Sequence, residues 1–168
     1  SLRAAADTAL DQYGTGHHGA RLLVGTTTVH KQLEAKLAHF MHADDSIVFS
    51  SGYVANLATL SALVGPGDRI IGDQLNHASI IDGCRMSGAN FDTFLHNDPQ
   101  SLADLLEHST GGQTLVIVDA VFSMDGDIIN LPDVVALCKK HNALLMVDEA
   151  HSLGVLGATG KGIQEHFD

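Results

Sequence analysis

Two short runs constrain this chain more than anything else in it. Residues 115–118 read Leu-Val-Ile-Val and residues 144–147 read Leu-Leu-Met-Val, apolar without alternation, and each is followed at once by an aspartate, Asp119 and Asp148. A strand with one wet face alternates apolar and polar residues; one that does not is covered on both faces, as in a parallel sheet sandwiched between helices. Both runs are therefore expected as interior strands. In open α/β sheets ligands bind beyond the carboxyl ends of the strands, so the two aspartates stand where polar chemistry is expected.

The rest of the pattern agrees. Residues 2–13 have helical spacing. From Ser46 onward short β-rich runs alternate with helical ones: strands at 47–49, 69–71, 91–95, 114–118 and 143–147, and helices at 53–64, 78–86, 102–108 and 132–141. Gly65-Pro66-Gly67-Asp68 is a turn, Pro99-Gln100-Ser101 opens one helix, and Pro132 suits the first turn of another, where its missing N–H costs nothing. Alternating strands and helices imply βαβ crossovers, hence an α/β fold with a mainly parallel sheet and helices on both faces. At 168 residues the chain suffices for one well-buried domain.

Charge and composition exclude several function classes. Nine Lys plus Arg against twenty Asp plus Glu give a net charge of −11, which disfavours nucleic acid as a partner. Cys84 and Cys138 form no disulfide framework and no thiolate cluster, and two cysteines fit a reducing, cytoplasmic setting. No apolar run approaches the roughly 20 residues that cross a bilayer, so no membrane partner is expected. The chain opens in a helical stretch without Met and stops at His166-Phe167-Asp168 without an evident cap. It reads as a segment of a longer protein.

Two motif matches fail on context. Gly14-Thr15-Gly16-His17-His18-Gly19 spells the dinucleotide fingerprint, but a helical stretch precedes it, and residues 21–26 look like loop or strand where a helix is required. Asp148-Glu149-Ala150-His151 spells a helicase motif, yet no phosphate loop lies upstream and Gly160-Lys161 is followed by Gly162. Of the eleven histidines only His17-His18 are clustered, and zinc wants four converging ligands; no metal is expected.

What remains is a series of polar positions on successive strand ends. Ser50-Ser51-Gly52-Tyr53 leads into a helix whose N-terminal N–H groups suit a phosphate, with Asn56 one turn on. His77 lies between a strand and a helix; Ser123 lies in Phe122-Ser123-Met124-Asp125-Gly126-Asp127 after another strand; Asp148 and His151 follow a third. Each alone has an ordinary reading as a cap, a turn or a surface pair.

Taken together, these runs resemble the α-oxoamine synthases, acyltransferases that use pyridoxal phosphate. The resemblance rests on Asn76-His77-Ala78-Ser79, Phe122 to Asp127, Val147-Asp148-Glu149-Ala150-His151, Ser51-Gly52-Tyr53-Val54-Ala55-Asn56, and Gly25-Thr26 with His30, Leu33 and Glu34. It implies part of the large, cofactor-binding domain of a fold-type I enzyme. Asp148 would lie against the ring nitrogen and keep it protonated. His151 and Ser123 would bind the phenolic edge, and His77 would stack on the ring and touch the substrate carboxylate. Gly52 and Tyr53, with Asn56 nearby, would serve the phosphate. His77, Asp148 and His151 are thus the expected catalytic residues, and Gly52, Tyr53, Asn56 and Ser123 join them in holding the cofactor. The implied reaction joins an amino acid (glycine, alanine or serine) to an acyl-CoA thioester with loss of carbon dioxide, giving an α-amino ketone, in a homodimer.

The chain departs from the family pattern in its lysines, in lacking the small domain, and at His17-His18, which stand where relatives often carry small residues. The lysine that carries the cofactor as a Schiff base has no counterpart here: Lys31, Lys36, Lys139 and Lys140 fall on helix faces and Lys161 in a loop. That segment and a C-terminal small domain are expected outside this chain, which by itself should be inert. An aminotransferase-like enzyme and a non-catalytic module on the same scaffold are the alternatives; His77 argues against the first, since aminotransferases usually stack an aromatic ring there.

Overall fold

The computed structural model describes residues 1–108 and 111–167; Ser109, Thr110 and Asp168, the last residue of the uncapped terminus noted above, lie outside the description. The chain divides into two compact units, residues 1–48 and 49–168.

The first unit holds α1 (Leu2–Tyr13), a π-helical turn (Arg21–Gly25) and α2 (Thr28–Met41). Of residues 21–26, expected as loop or strand, the first five form that turn instead and Thr26 follows it in extended conformation. Its helix α2 starts at a capping box in which Thr27 Oγ1 accepts from the His30 N–H and the His30 ring accepts from the Thr27 N–H. Glu34, buried on α2, is the hub. It accepts from the Val48 N–H at 3.1 Å and from Arg21 Nη2 at 2.7 Å, with Lys31 Nζ at 3.3 Å. The Val48 N–H first, then Arg21, hold its carboxyl down to about 2 despite burial. These bonds explain a correction. Residues 47–49, expected as a strand, form none, because side chains take the Val48 backbone groups: Glu34 accepts from its N–H and Arg21 donates to its C=O at 2.8 Å.

In the second unit α3 (Gly52–Leu63), α4 (Ala78–Ser87), α5 (Pro99–Leu106) and α6 (Leu131–His141) surround four parallel strands: β1 (Arg69–Asp73), β2 (Asn90–Phe94), β3 (Thr114–Asp119) and β4 (Leu144–Asp148). A short α7 (Ile163–Phe167), absent from the sequence reading, follows. The strand order is β2-β1-β3-β4. The alternate residues of β3 serve the two faces: Leu115 and Ile117 pack with Leu60 of α3 and Ile80 of α4, while Val116 and Val118 pack with Leu102 of α5 and Val134 of α6. This two-sided burial is why the run has no alternation.

The expectation for the second apolar run needs correcting. β3 is interior, but β4 is an edge strand, paired only with β3 among the described residues. Leu144 is 41% exposed and the rest of β4 is half-buried. An apolar run reports which faces of a strand want cover; it does not say how many neighbours the strand has along the sheet.

Arg69 anchors the amino end of the sheet. Buried at the start of β1, it donates to Asp92 of β2 at 2.7 Å and to the Leu105 and His108 carbonyls at 2.7 and 2.8 Å, so the C-terminal end of α5 receives a cation where its dipole favours one. At the carboxyl end the connections diverge. The chain leaves β1 toward β2 through α4 on one face, then returns past β1 to β3 through α5 on the other. The crevice between the ends of β1 and β3 is therefore the topological switch point, where a ligand is expected.

Candidate functional site

At that switch point a cleft of about 450 Å³, its solvent-filled mouth included, is lined by Gly52, Tyr53, Asn56, His77, Ser79, Asp119, Val121, Ser123, Asp148, Ala150 and His151. All seven residues singled out in the sequence therefore meet in one cavity. The sequence reading missed Asp119, Ser79, Val121 and Ala150 as members. Asp119 did carry a signal, as the acid ending an apolar strand.

Strand register builds the floor. β3 and β4 pair in parallel with Asp119 opposite Asp148, which sets two carboxylates side by side at the carboxyl edge. Asp119 is 8% exposed, and burial first, then the charge of Asp148, push its carboxyl up to about 6, although it accepts the His77 N–H at 2.9 Å. Asp148 is held on both oxygens: Oδ1 accepts from the Ala150 N–H at 2.9 Å and Oδ2 from Asn56 Nδ2 at 2.8 Å. Asn56 thus reaches across 92 positions to orient Asp148, and its amide also donates to Ser79 Oγ at 2.9 Å.

His77 caps α4, and its Nδ1 accepts from the Ser79 N–H at 3.2 Å. The lone pair needed for that bond puts the ring proton on Nε2. Ser79 Oγ lies 2.7 Å from the same Nδ1, so Asp148, Asn56, Ser79 and His77 form one continuous hydrogen-bonded chain. Beneath them Asn76, also buried, donates to the Ile117 carbonyl and accepts from the Asp119 N–H, which ties the turn after β1 to β3. His77, Ser123 and His151 are themselves exposed at the mouth.

The opposite wall is the start of α3. Ser51 Oγ accepts from the Val54 N–H and the Ser51 carbonyl from Ala55, which leaves the Gly52 and Tyr53 N–H groups for an anion. A Cβ on Gly52 would meet nothing within 4 Å, so the approach is open. Tyr53 offers the cleft its backbone, because its hydroxyl donates to Asp82 of α4 at 2.6 Å.

The donor set selects a ligand type. Two adjacent carboxylates want a cation, the helix N-terminus wants an anion, and two imidazoles with a hydroxyl suit a flat polar ring. No group of three or more His, Cys, Asp or Glu side chains among the described residues could hold a metal.

The comparisons with known proteins agree with this geometry. The model of the aminotransferase class I and II family matches residues 1–166. The 8-amino-7-oxononanoate synthase of Geobacter sulfurreducens is 50% identical over 100% of this chain and 43% of its own length. A serine palmitoyltransferase from S. paucimobilis, solved with a bound PLP–myriocin aldimine, has a TM-score of 0.95 at 41% identity, over 99% of this chain and 43% of its own. An 8-amino-7-oxononanoate synthase from Francisella tularensis has a TM-score of 0.81 at 34% identity, over 99% and 45%. The chain therefore spans less than half the length of the relatives it matches. It belongs to the aminotransferase class I and II family and, within it, to the α-oxoamine synthases.

Proposed function

We propose that the protein carrying this chain is a pyridoxal-phosphate-dependent acyltransferase that condenses an amino acid with an acyl-CoA thioester, releasing carbon dioxide and free CoA to form an α-amino ketone. The observation that carries this reading is the convergence on one switch-point cleft of a free helix N-terminus, paired carboxylates and two imidazoles. Pyridoxal phosphate fits that set, with an anion at one end and a cationic ring nitrogen at the other. When bound, it supplies a conjugated cationic ring that accepts the electron pair left at the amino-acid α-carbon.

The chain's own residues do the rest. Asp148 keeps a proton on the ring nitrogen, and Asn56 and the Ala150 N–H keep Asp148 aimed. The Gly52 and Tyr53 N–H groups hold the phosphate. Ser123 and His151 serve the phenolic oxygen. His77, with Nδ1 engaged by Ser79, offers its ring face to the cofactor and its Nε2 proton to the substrate carboxylate.

Our reading puts the cofactor-bearing lysine outside this chain, together with the C-terminal small domain, and takes the chain by itself as catalytically inert; the lack of a lysine lining the cleft among the described residues supports it. A cytoplasmic homodimer is the proposed setting. The self-association is supported by apolar side chains left uncovered in the first unit, Leu22 and Leu23 being 94% and 79% exposed. A non-catalytic module that binds the cofactor without turning it over is the alternative outcome of the test.

Incubating the whole protein with alanine, glycine or serine and a panel of acyl-CoAs, while following CoA and carbon dioxide release, separates the two. Equal release of both with one pair supports the acyltransferase. Amino-group transfer to an oxo acid without CoA release would instead indicate an aminotransferase. Stoichiometric cofactor binding without any turnover would leave the module.

A further inference from the structure

His96 lies outside the cleft and belongs to none of the groups assigned above. It follows β2, and its two ring nitrogens face two carboxylates from different elements: Nδ1 lies 2.9 Å from Asp73 Oδ1 at the end of β1, and Nε2 lies 2.8 Å from Asp127 Oδ2 in the turn after β3. Asp73 is fully buried and also accepts the Leu75 and Asn97 N–H groups, one on each oxygen, so it acts only as an acceptor. Two carboxylate acceptors on one imidazole require two donors, which only the imidazolium provides. The ring of Phe122 closes over it edge-on at 4.4 Å.

The segment around His96 grips the whole turn that carries Ser123. Asn97 donates from its side chain to the Ile128 carbonyl at 3.1 Å and accepts the Asn130 N–H at 2.8 Å. Within the turn the Phe122 N–H donates to the Asp127 carbonyl and the Gly126 N–H to the Phe122 carbonyl. Ser123 makes no hydrogen bond of its own among the described residues and is exposed, so its place at the cleft depends on how this turn is held.

We propose that His96 is a positioning residue of the cleft: as an imidazolium bridging Asp73 and Asp127 it clamps the 122–127 turn and holds Ser123 at the cofactor edge, and it releases the turn on losing its proton. The groups that act on the ring are Asp73 from β1 and Asp127 from the β3–α6 connection, with Phe122 the uncharged neighbour. Burial favours the neutral ring, but the bonds to Asp73 and Asp127 outweigh it and raise its pKa above the usual histidine value. The clamp is thus fully engaged below the ordinary histidine value and is lost as pH rises through the raised one. The role of Ser123 rests on the proposed cofactor site; the clamp itself does not.

The test uses the whole protein. The His96 ring is titrated by NMR with labelled histidine, and amide exchange is followed at Phe122 and Gly126, corrected for intrinsic rates. Loss of protection by roughly tenfold in step with the His96 titration is expected. His96→Gln and Asp127→Asn should show that loss at all pH values, whereas Ser123→Ala keeps the protection. Both clamp variants should also weaken pyridoxal phosphate binding roughly three- to tenfold, with the wild-type advantage vanishing at high pH. Should His96→Gln fail to fold, Asp127→Asn and the wild-type titration still decide. Turn protection that ignores the His96 titration overturns the clamp, and a loosened turn with unchanged cofactor affinity overturns the positioning role. If the wild-type protein binds no pyridoxal phosphate, the proposed function fails instead, and the exchange data alone judge the clamp.

Discussion

Asn56 is the side chain on which the cleft's hydrogen-bonded chain hinges, and replacing it with leucine, which keeps much of the volume, isolates its polar work. Its amide nitrogen spends both hydrogens, one on Asp148 at 2.8 Å and one on Ser79 at 2.9 Å. A hydrogen bond to a charged acceptor contributes about 1.5–3 kcal/mol and a neutral one about 0.5–1.5, so the two together bound the loss at roughly 2–4.5 kcal/mol. The lower half of that range is expected, because Asp148 is half-exposed and water can replace its donor, whereas Ser79 is 1% exposed and cannot recruit one. Urea unfolding followed by far-UV circular dichroism measures the change, and a double-mutant cycle with Asp148→Asn apportions it. In the Asp148→Asn background the Asn56→Leu penalty should shrink by about 1 kcal/mol or more, since the charged acceptor is gone. A penalty below about 0.5 kcal/mol, or one that is identical in both backgrounds, would refute the claim that Asn56 holds Asp148.

Two further outcomes follow from the same geometry. Asp119 has a folded pKa of about 6 against an ordinary 3.8; its folded form binds more protons between those values, so stability falls as pH rises through that window. Asp119→Asn still accepts the His77 N–H and should be more stable than wild type at pH 7 by roughly 1–3 kcal/mol, with the difference fading below the ordinary carboxylate value; a wild type that is equally stable at pH 7 contradicts this. Gly83 sits where α4 meets α3, and a Cβ there would lie 2.7 Å from Leu60 Cδ1 and 3.2 Å from the Asn56 carbonyl. Gly83→Val should cost about 2–3 kcal/mol by overpacking, while Gly83→Ala should cost less, because about 1 kcal/mol of helix propensity offsets part of the contact its Cβ makes; calorimetry on both variants checks the order.

The parts of the fold visible in the sequence are those whose signal is local. The β3 run announced itself because both of its faces are covered, and the turn at residues 65–68 and the proline-led starts of α5 and α6 are set by backbone chemistry at single positions. Residues 47–49 misled because their β-branched and aromatic character was outvoted by Glu34 and Arg21, which take the Val48 backbone groups. The edge placement of β4 depends on pairing along the sheet, which no run of residues encodes in itself. Within the site, motif residues after each strand could be named, but the bonds that arm them could not. Asn56 meets Asp148 92 positions away, Asp119 gains its raised carboxyl from burial first and then from the Asp148 charge that strand register sets beside it, and His96 joins Asp73 to Asp127 only because β1 and β3 are neighbours.

The central claim is that Asp148 faces the ring nitrogen of pyridoxal phosphate and keeps it protonated. The most direct measurement is the nitrogen chemical shift of ring-labelled pyridoxal phosphate bound to the whole protein, compared between wild type and Asp148→Asn near pH 8. A protonated ring nitrogen in the wild type and a deprotonated one in the variant is the expected result, with the phosphorus resonance unchanged because Gly52 and Tyr53 still hold the phosphate. The same nitrogen shift in both proteins would contradict the account.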